Sequence, residues 1–217
     1  MPAPSPPTAA RLRFAPDYEE TVGLDDGTFV TLRLVRPTDA PLLIHEFGEL
    51  SARSRYMRFF GMKNSLSPTE VTQLLGVDGW NHVAIGAIQR GPSGEDGVGV
   101  ARFIRLEKDP EAADFAISVV DRLQGRGLGR ILLERLIEAA RDRGIKRFRF
   151  DVLSENARML NLVHDVAPGA ARTTDGTETH FDLPLELAPG RFPSPGALLL
   201  RMMRLRWLRP AAPSQTR

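Results

Sequence analysis

The residues best suited to chemistry form one short run, Asp121-Arg122-Leu123-Gln124-Gly125-Arg126-Gly127-Leu128-Gly129. It joins an apolar, strand-like stretch directly to a strong helical stripe. Glycines at positions 125, 127 and 129 remove side chains, so backbone N–H groups can approach a ligand closely. The start of the helix adds unpaired N–H groups and a partial positive charge. That pairing suits a phosphate or pyrophosphate, and Arg126 and Arg130 can add ionic contacts. The spacing is G-x-G-x-G, not the G-x-G-x-x-G of a dinucleotide fingerprint, and several elements precede it instead of an opening βαβ unit. The Gly-Lys-Ser/Thr ending of a Walker loop is absent. The bland alternative is a flexible turn that merely ends a strand, against which the strand-to-helix junction and the flanking arginines argue.

The elements that must hold this run follow from periodicity. Asp26-Gly27 marks a turn, and Phe29–Val35 reads as the first strand. Thr38 and Asp39 can cap a helix whose apolar positions are Leu42, Leu43, Phe47 and Leu50. A polar break at 51–54 leads to Arg55–Phe60, a short aromatic stretch read as core packing. Ser67-Pro68-Thr69-Glu70 is a helix start with a capping-box pattern. His82–Ile88, Val98–Leu106 and Ala113–Val120 read as strands, the last with Phe115, Ile117 and Val119 on one face. Residues 127–143 carry a helical stripe of Leu128, Ile131, Leu132, Leu136, Ala139 and Ala140 that stops at Gly144. Phe148, Phe150 and Val152 alternate with charged residues in a further strand. Asn156–Val166 is a helix, and two strands, about 170–174 and 178–186, flank the Asp175-Gly176 turn. The order β-α-α-β-β-β-α-β-α-β-β predicts an α/β fold. Its central sheet should be mixed, mostly antiparallel and of about seven strands, flanked by about four helices.

Composition narrows the class. The chain has 217 residues, 42% hydrophobic and 26% charged, with no cysteine. That excludes disulfides, thiolate metal sites and a cysteine nucleophile. His45, His82, His164 and His180 show no metal-ligand spacing, so no metal is expected. No apolar run nears the ~18 residues of a spanning helix, and no secretory signal is recognisable; a cytoplasmic protein is the expectation. The 29 basic and 27 acidic residues give +2. Residues 190–217 hold six arginines and no acid, which leaves the rest at −4. The excess positive charge is therefore local, and no specific nucleic-acid partner is expected. Residues 1–15, rich in proline, are expected to be a disordered leader and 16–189 the folded domain. Residues 190–217 are expected to be a basic tail whose Ser194-Pro195 start allows a helix over 194–209, docked on the domain or on a second subunit of a homodimer.

Gln124-Gly125-Arg126-Gly127-Leu128-Gly129 resembles the Q/R-x-x-G-x-G/A motif of the Gcn5-related N-acetyltransferase (GNAT) superfamily, and the element order agrees over residues 22–187. Leu34–Asp39 and Leu50–Gly61 are similar to the acetyltransferase domain of bacterial Pat-type protein lysine acetyltransferases. The resemblance implies an acetyl-CoA-dependent N-acetyltransferase. Residues 124–130 would hold the pyrophosphate, Ile117, Ser118 and Val119 would supply strand backbone to the thioester and pantetheine, and Asn156 would lie near the pantetheine arm. Acetyl transfer needs a neutral amine, and a lysine of pKa ~10.4 is neutral only about once in 2,500 molecules at pH 7. A carboxylate can take that proton. The resemblance places this role at the residue before Phe115-Ala116, which is Asp114, with Glu111 as second candidate. Aspartate is one methylene shorter than the family's glutamate, so a bridging water or a closer substrate is required. The tyrosine that often meets the leaving thiolate is missing, its place falling near Val163; His164 beside it reads as a surface residue. A protein lysine is the expected acceptor. A small-molecule amine acetyltransferase and a non-catalytic acyl-CoA-binding regulatory module remain alternatives.

Overall fold

The computed structural model describes residues 12–91 and 94–187. The expected leader up to residue 11 and the basic tail from 190 lie outside the described residues. Of the remaining leader positions, Phe14 is fully buried in the core.

The sheet contains β1 (Glu19–Gly23), β2 (Phe29–Leu34), β3 (His82–Gly91), β4 (Gly94–Leu106), β5 (Asp109–Val119), β6 (Arg147–Leu153), β7 (Ala171–Asp175) and β8 (Glu178–Pro184). The helices are α1 (Ala40–Glu49), α2 (Ala52–Phe59), α3 (Pro68–Leu75), α4 (Leu128–Arg141) and α5 (Ala157–Val166). The strand order is β1-β2-β3-β4-β5-β6-β8-β7, antiparallel throughout except for β5–β6. The eight strands and five helices include two elements beyond those read from the sequence. β1 is a short edge strand in which only Val22 is buried, so its alternation is too weak to register. α2 buries no residue fully and is rich in arginine; its signal is the Ser51 cap, whose Oγ accepts from the Ser54 N–H at 3.1 Å.

Alternation along β4 sorts the two faces. Ala101 and Phe103 point into the main core with Leu128, Leu132, Leu133, Leu136 and Ile137 of α4. Arg102 points the other way and donates to the Leu74 carbonyl of α3 at 2.6 Å. The capping box at Ser67–Glu70 forms as its residues predict. Asp39 stands at the N-cap of α1, but its carboxylate binds Arg33 at 2.7 and 2.9 Å instead of the helix.

The β5–β6 junction matters most for the site. Only Ala112 with Arg147 and Ala113 with Phe148 pair there. Beyond them β5 continues against β4 up to Val119, while β6 continues against β8 up to Leu153. The two strands therefore part from Asp114 onward. A column of rings crosses the junction on the core side: Phe115 lies 5.0 Å from Phe148 and 4.3 Å from Phe150, and Phe150 stacks on Phe181 at 5.0 Å. Among the described residues no helix is long and apolar enough to cross a membrane.

Candidate active site

The parted strands open onto a cleft of ≈ 1680 Å³. That exceeds the ~300–1,000 Å³ usual for drug-sized ligands and suits a long one. Asp114, Ile117, Ser118, Val119, Gln124, Gly125, Gly127, Gly129, Arg130 and Asn156 all line it. Glu111, Arg126 and Leu128 do not. Glu111 points outward and pairs with Lys146 at 2.5 Å. The Arg126 side chain is engaged by Asp26, and Leu128 is fully buried beneath the turn.

The glycine turn is built as its residues require. Gly125 and Gly127 take φ of +73° and +85°, which side chains rarely adopt. Gly127 caps α4 without a side-chain hydrogen bond, so the first N–H groups of that helix remain open to a ligand. A Cβ at Gly127 would sit 2.9 Å from an Asp25 carboxylate oxygen. Gln124 fixes the approach: its amide donates to the Val119 carbonyl at 2.8 Å, and its oxygen accepts from Arg158 of α5. Asn156 caps α5, accepting from the Met159 N–H at 3.2 Å. These residues fit a pyrophosphate-bearing ligand, with Arg130 and Arg158 as cations in the cleft wall and Asp25 as an opposing acid that they offset. Arg158 escaped the sequence reading because it stands at the second position of α5, outside the motif. Its arginine-for-loop geometry appears only once α5 packs beside α4.

Asp114 sits where the strands begin to part, on the face opposite Phe115. Its carboxylate is open to the cleft, yet the surrounding protein pushes its pKa above the ordinary aspartate value. The positive charge of Arg58 opposes this and Asp151 adds to it. On the same face of β5, the Ser118 hydroxyl donates at 2.7 Å to Glu46, a carboxyl only 5% exposed. Burial raises the pKa of Glu46, against the pull of Ser118, Arg58 and Arg102. His164 is exposed and Val163 buried, so no proton donor stands at that position of α5.

The far wall is made by β6 and β8. Asp151 and His180 are cross-strand partners, and their side chains meet at 2.5 Å between Oδ1 and Nδ1. That bond raises the pKa of His180. Glu178 comes within 4.8 Å of the pair. Nothing in the linear order of residues points to this trio, because its members meet only through the β6–β8 register. The N-terminus of α2 is tied to the near wall through Asp121, which accepts from Ser51 and Ser54.

A central parallel pair that separates in an otherwise antiparallel sheet, above a glycine turn, defines an acetyltransferase-type fold. Residues 70–164 match the model of the Acetyltransferase (GNAT) family. The chain has the fold of a GNAT acetyltransferase domain. The GNAT domain of S. lividans PAT superposes with a TM-score of 0.69 at 27% identity, covering 76% of this chain and 96% of that one. Acetyltransferase Pat of Mycolicibacterium smegmatis is 31% identical over 139 residues, which are 63% of this chain but 40% of that protein. An acetyltransferase of Pseudomonas aeruginosa is 29% identical over 143 residues, 64% of this chain and 74% of its own.

Proposed function

We propose that this domain moves an acetyl group from acetyl-CoA to an amine, with a protein lysine as the acceptor and Asp114 as the group that takes its proton. The observation that carries the reading is the joint opening of one cleft onto Asp114, the freed edge of β5 and the uncapped start of α4. Acetyl-CoA supplies the activated acyl carbon. The residues of this chain bind, orient and deprotonate. The turn at Gln124–Gly129, with Arg130 and Arg158, would hold the pyrophosphate by backbone N–H groups and charge. The edge of β5 at Ile117–Val119 offers backbone groups for the pantetheine and for the thioester oxygen, where a fixed donor lowers the barrier. Asn156 would stand near the pantetheine arm. Asp114, lifted in pKa by burial, is in its ionised form a stronger base than a free aspartate.

The likeness to S. lividans PAT and M. smegmatis Pat agrees with the Pat-type resemblance of Leu34–Asp39 and Leu50–Gly61, which implies a protein acceptor over a small amine. The test is release of free CoA from acetyl-CoA, measured with no acceptor, with lysine-containing proteins or peptides, and with small amines. Release stimulated by a lysine-bearing protein supports the reading. Stimulation by small amines alone assigns a small-molecule enzyme, and acetyl-CoA binding with no stimulated release by any acceptor assigns a non-catalytic module.

A further inference from the structure

One charged side chain of the cleft has a position but no assigned work. Arg58 lies on α2, inside the Leu50–Gly61 segment, and lines two cavities at once. One is the active-site cleft with Asp114; the other is a small inner space walled by Glu46, Phe47, Arg102 and Ser118. Its guanidinium carbon lies 5.0 Å from the centre of the Phe59 ring. Among the described residues it forms no hydrogen bond and no close ion pair. A half-buried guanidinium without a bonded carboxylate is costly to keep. Its charge is balanced through space by two acids, Asp114 first and Glu46 second.

These two acids are not equivalent. Glu46 is already served by the Ser118 hydroxyl and by Arg102. Asp114 is met only by the adjacent Phe115 N–H and, among the described residues, by no side-chain donor. The groups facing it are Arg58 from α2, Asp151 from β6, and beside Asp151 its partner His180 of β8. Arg149 of β6 is committed to Asp109 and Asp182. Arg102 of β4 and Glu46 of α1 lie behind Arg58. Arg58 shares the cleft with Asp114 and is the cation whose charge acts on it, carried on a helix that Ser51 fastens to Asp121.

We propose that Arg58 is the countercharge of Asp114, a positioning residue that keeps this carboxylate ionised and available to the incoming amine. The inference rests on the reading of Asp114 as the proton acceptor. Removing the positive charge leaves burial and Asp151 opposed only by the Phe115 N–H, so the carboxylate protonates at higher pH.

The test is the pH dependence of kcat/KM for the full chain, comparing the unaltered protein with Arg58→Met, Arg58→Lys and Asp114→Asn. In Arg58→Met the acid limb should move upward by about one pH unit, so that the loss of kcat/KM grows as pH falls and approaches about tenfold well down the acid limb. The Kd for acetyl-CoA should stay within twofold. Arg58→Lys should keep the limb near its original position, and added guanidinium ion should restore part of the rate lost in Arg58→Ala. A merely structural role for Arg58 moves neither the limb nor the guanidinium response. An unmoved limb in a folded Arg58→Met variant that binds acetyl-CoA overturns the inference; if that variant does not fold, an unmoved limb in Arg58→Gln does the same. Persistence of the acid limb in Asp114→Asn overturns the assignment of Asp114 and this inference with it. Loss of the limb in Asp114→Asn without movement in Arg58→Met removes Arg58 alone.

Discussion

Ser51 and Asp121, seventy positions apart, are joined twice: the Ser51 N–H donates to Oδ2 at 2.8 Å and its hydroxyl donates to Oδ1 at 2.9 Å. Asp121 begins the short turn that leads into Gln124 and the glycines, while Ser51 caps α2. The near wall of the cleft and its floor are therefore one unit. Asp121→Ala should destabilise the domain by about 1–2 kcal/mol, the range for charge-assisted hydrogen bonds reduced for partial exposure, measured by urea unfolding. An unchanged midpoint would show that α2 is held by packing alone.

The same residue predicts a pH dependence of stability. Burial raises the pKa of Asp121, but the Ser51 N–H and the two serine hydroxyls outweigh it, so its folded value is lowered. Glu20 is likewise lowered, burial being outweighed by Arg135 and Tyr18. A lowered folded value means that the unfolded chain takes up protons first as pH falls. The contribution is full above the unfolded values of about 4 and disappears below them. The gap in unfolding midpoint between the unaltered protein and Asp121→Asn should be wide at pH 7 and narrow at pH 3.

Gly127→Val should weaken acetyl-CoA binding by tenfold or more in calorimetry. Its φ of +85° is foreign to a β-branched residue, and the new Cβ meets Asp25 at 2.9 Å. Normal affinity in this variant would defeat the pyrophosphate assignment.

Two arginines near the turn should behave differently. Arg158→Ala removes a cleft cation and the partner of Gln124, and should weaken acetyl-CoA binding by about 1–2 kcal/mol. Arg126→Ala removes a side chain that is bound to Asp26 outside the cleft, and should leave affinity within twofold. The reverse order of effects would mean that Arg126 swings onto the ligand.

Asp114→Ala should lower the acetylation rate by about 10²–10⁴-fold, the usual contribution of a positioned base, with acetyl-CoA affinity nearly intact. The His180 ring should titrate above the ordinary value of about 6.5, and Asp151→Asn should bring it down, as followed by NMR.

The cofactor side of the site was legible because it is contiguous. Gln124 to Gly129 is one run, and its function depends on backbone freedom that glycine spelling reveals. Alternation of Asp114 with Phe115 likewise told which way that carboxylate faces. The acceptor side was not legible. Asp151 and His180 are 29 positions apart and meet only through the β6–β8 register. Arg58 reads as one arginine among several in a helix with no apolar stripe. The parting of β5 from β6 leaves no mark either, since Asp114–Val119 has the composition of an ordinary paired strand.

The hydrogen-bonded seam between the two halves of the sheet is only two residue pairs long. Such a seam cannot by itself fix the angle between β5 and β6. Phe115, Phe148, Phe150 and Phe181, wedged across the back of the opening, set it instead. The aperture of the cleft is thus a matter of ring volume: a smaller side chain at the fully buried Phe148 would let the jaws relax without touching a residue that lines the cleft.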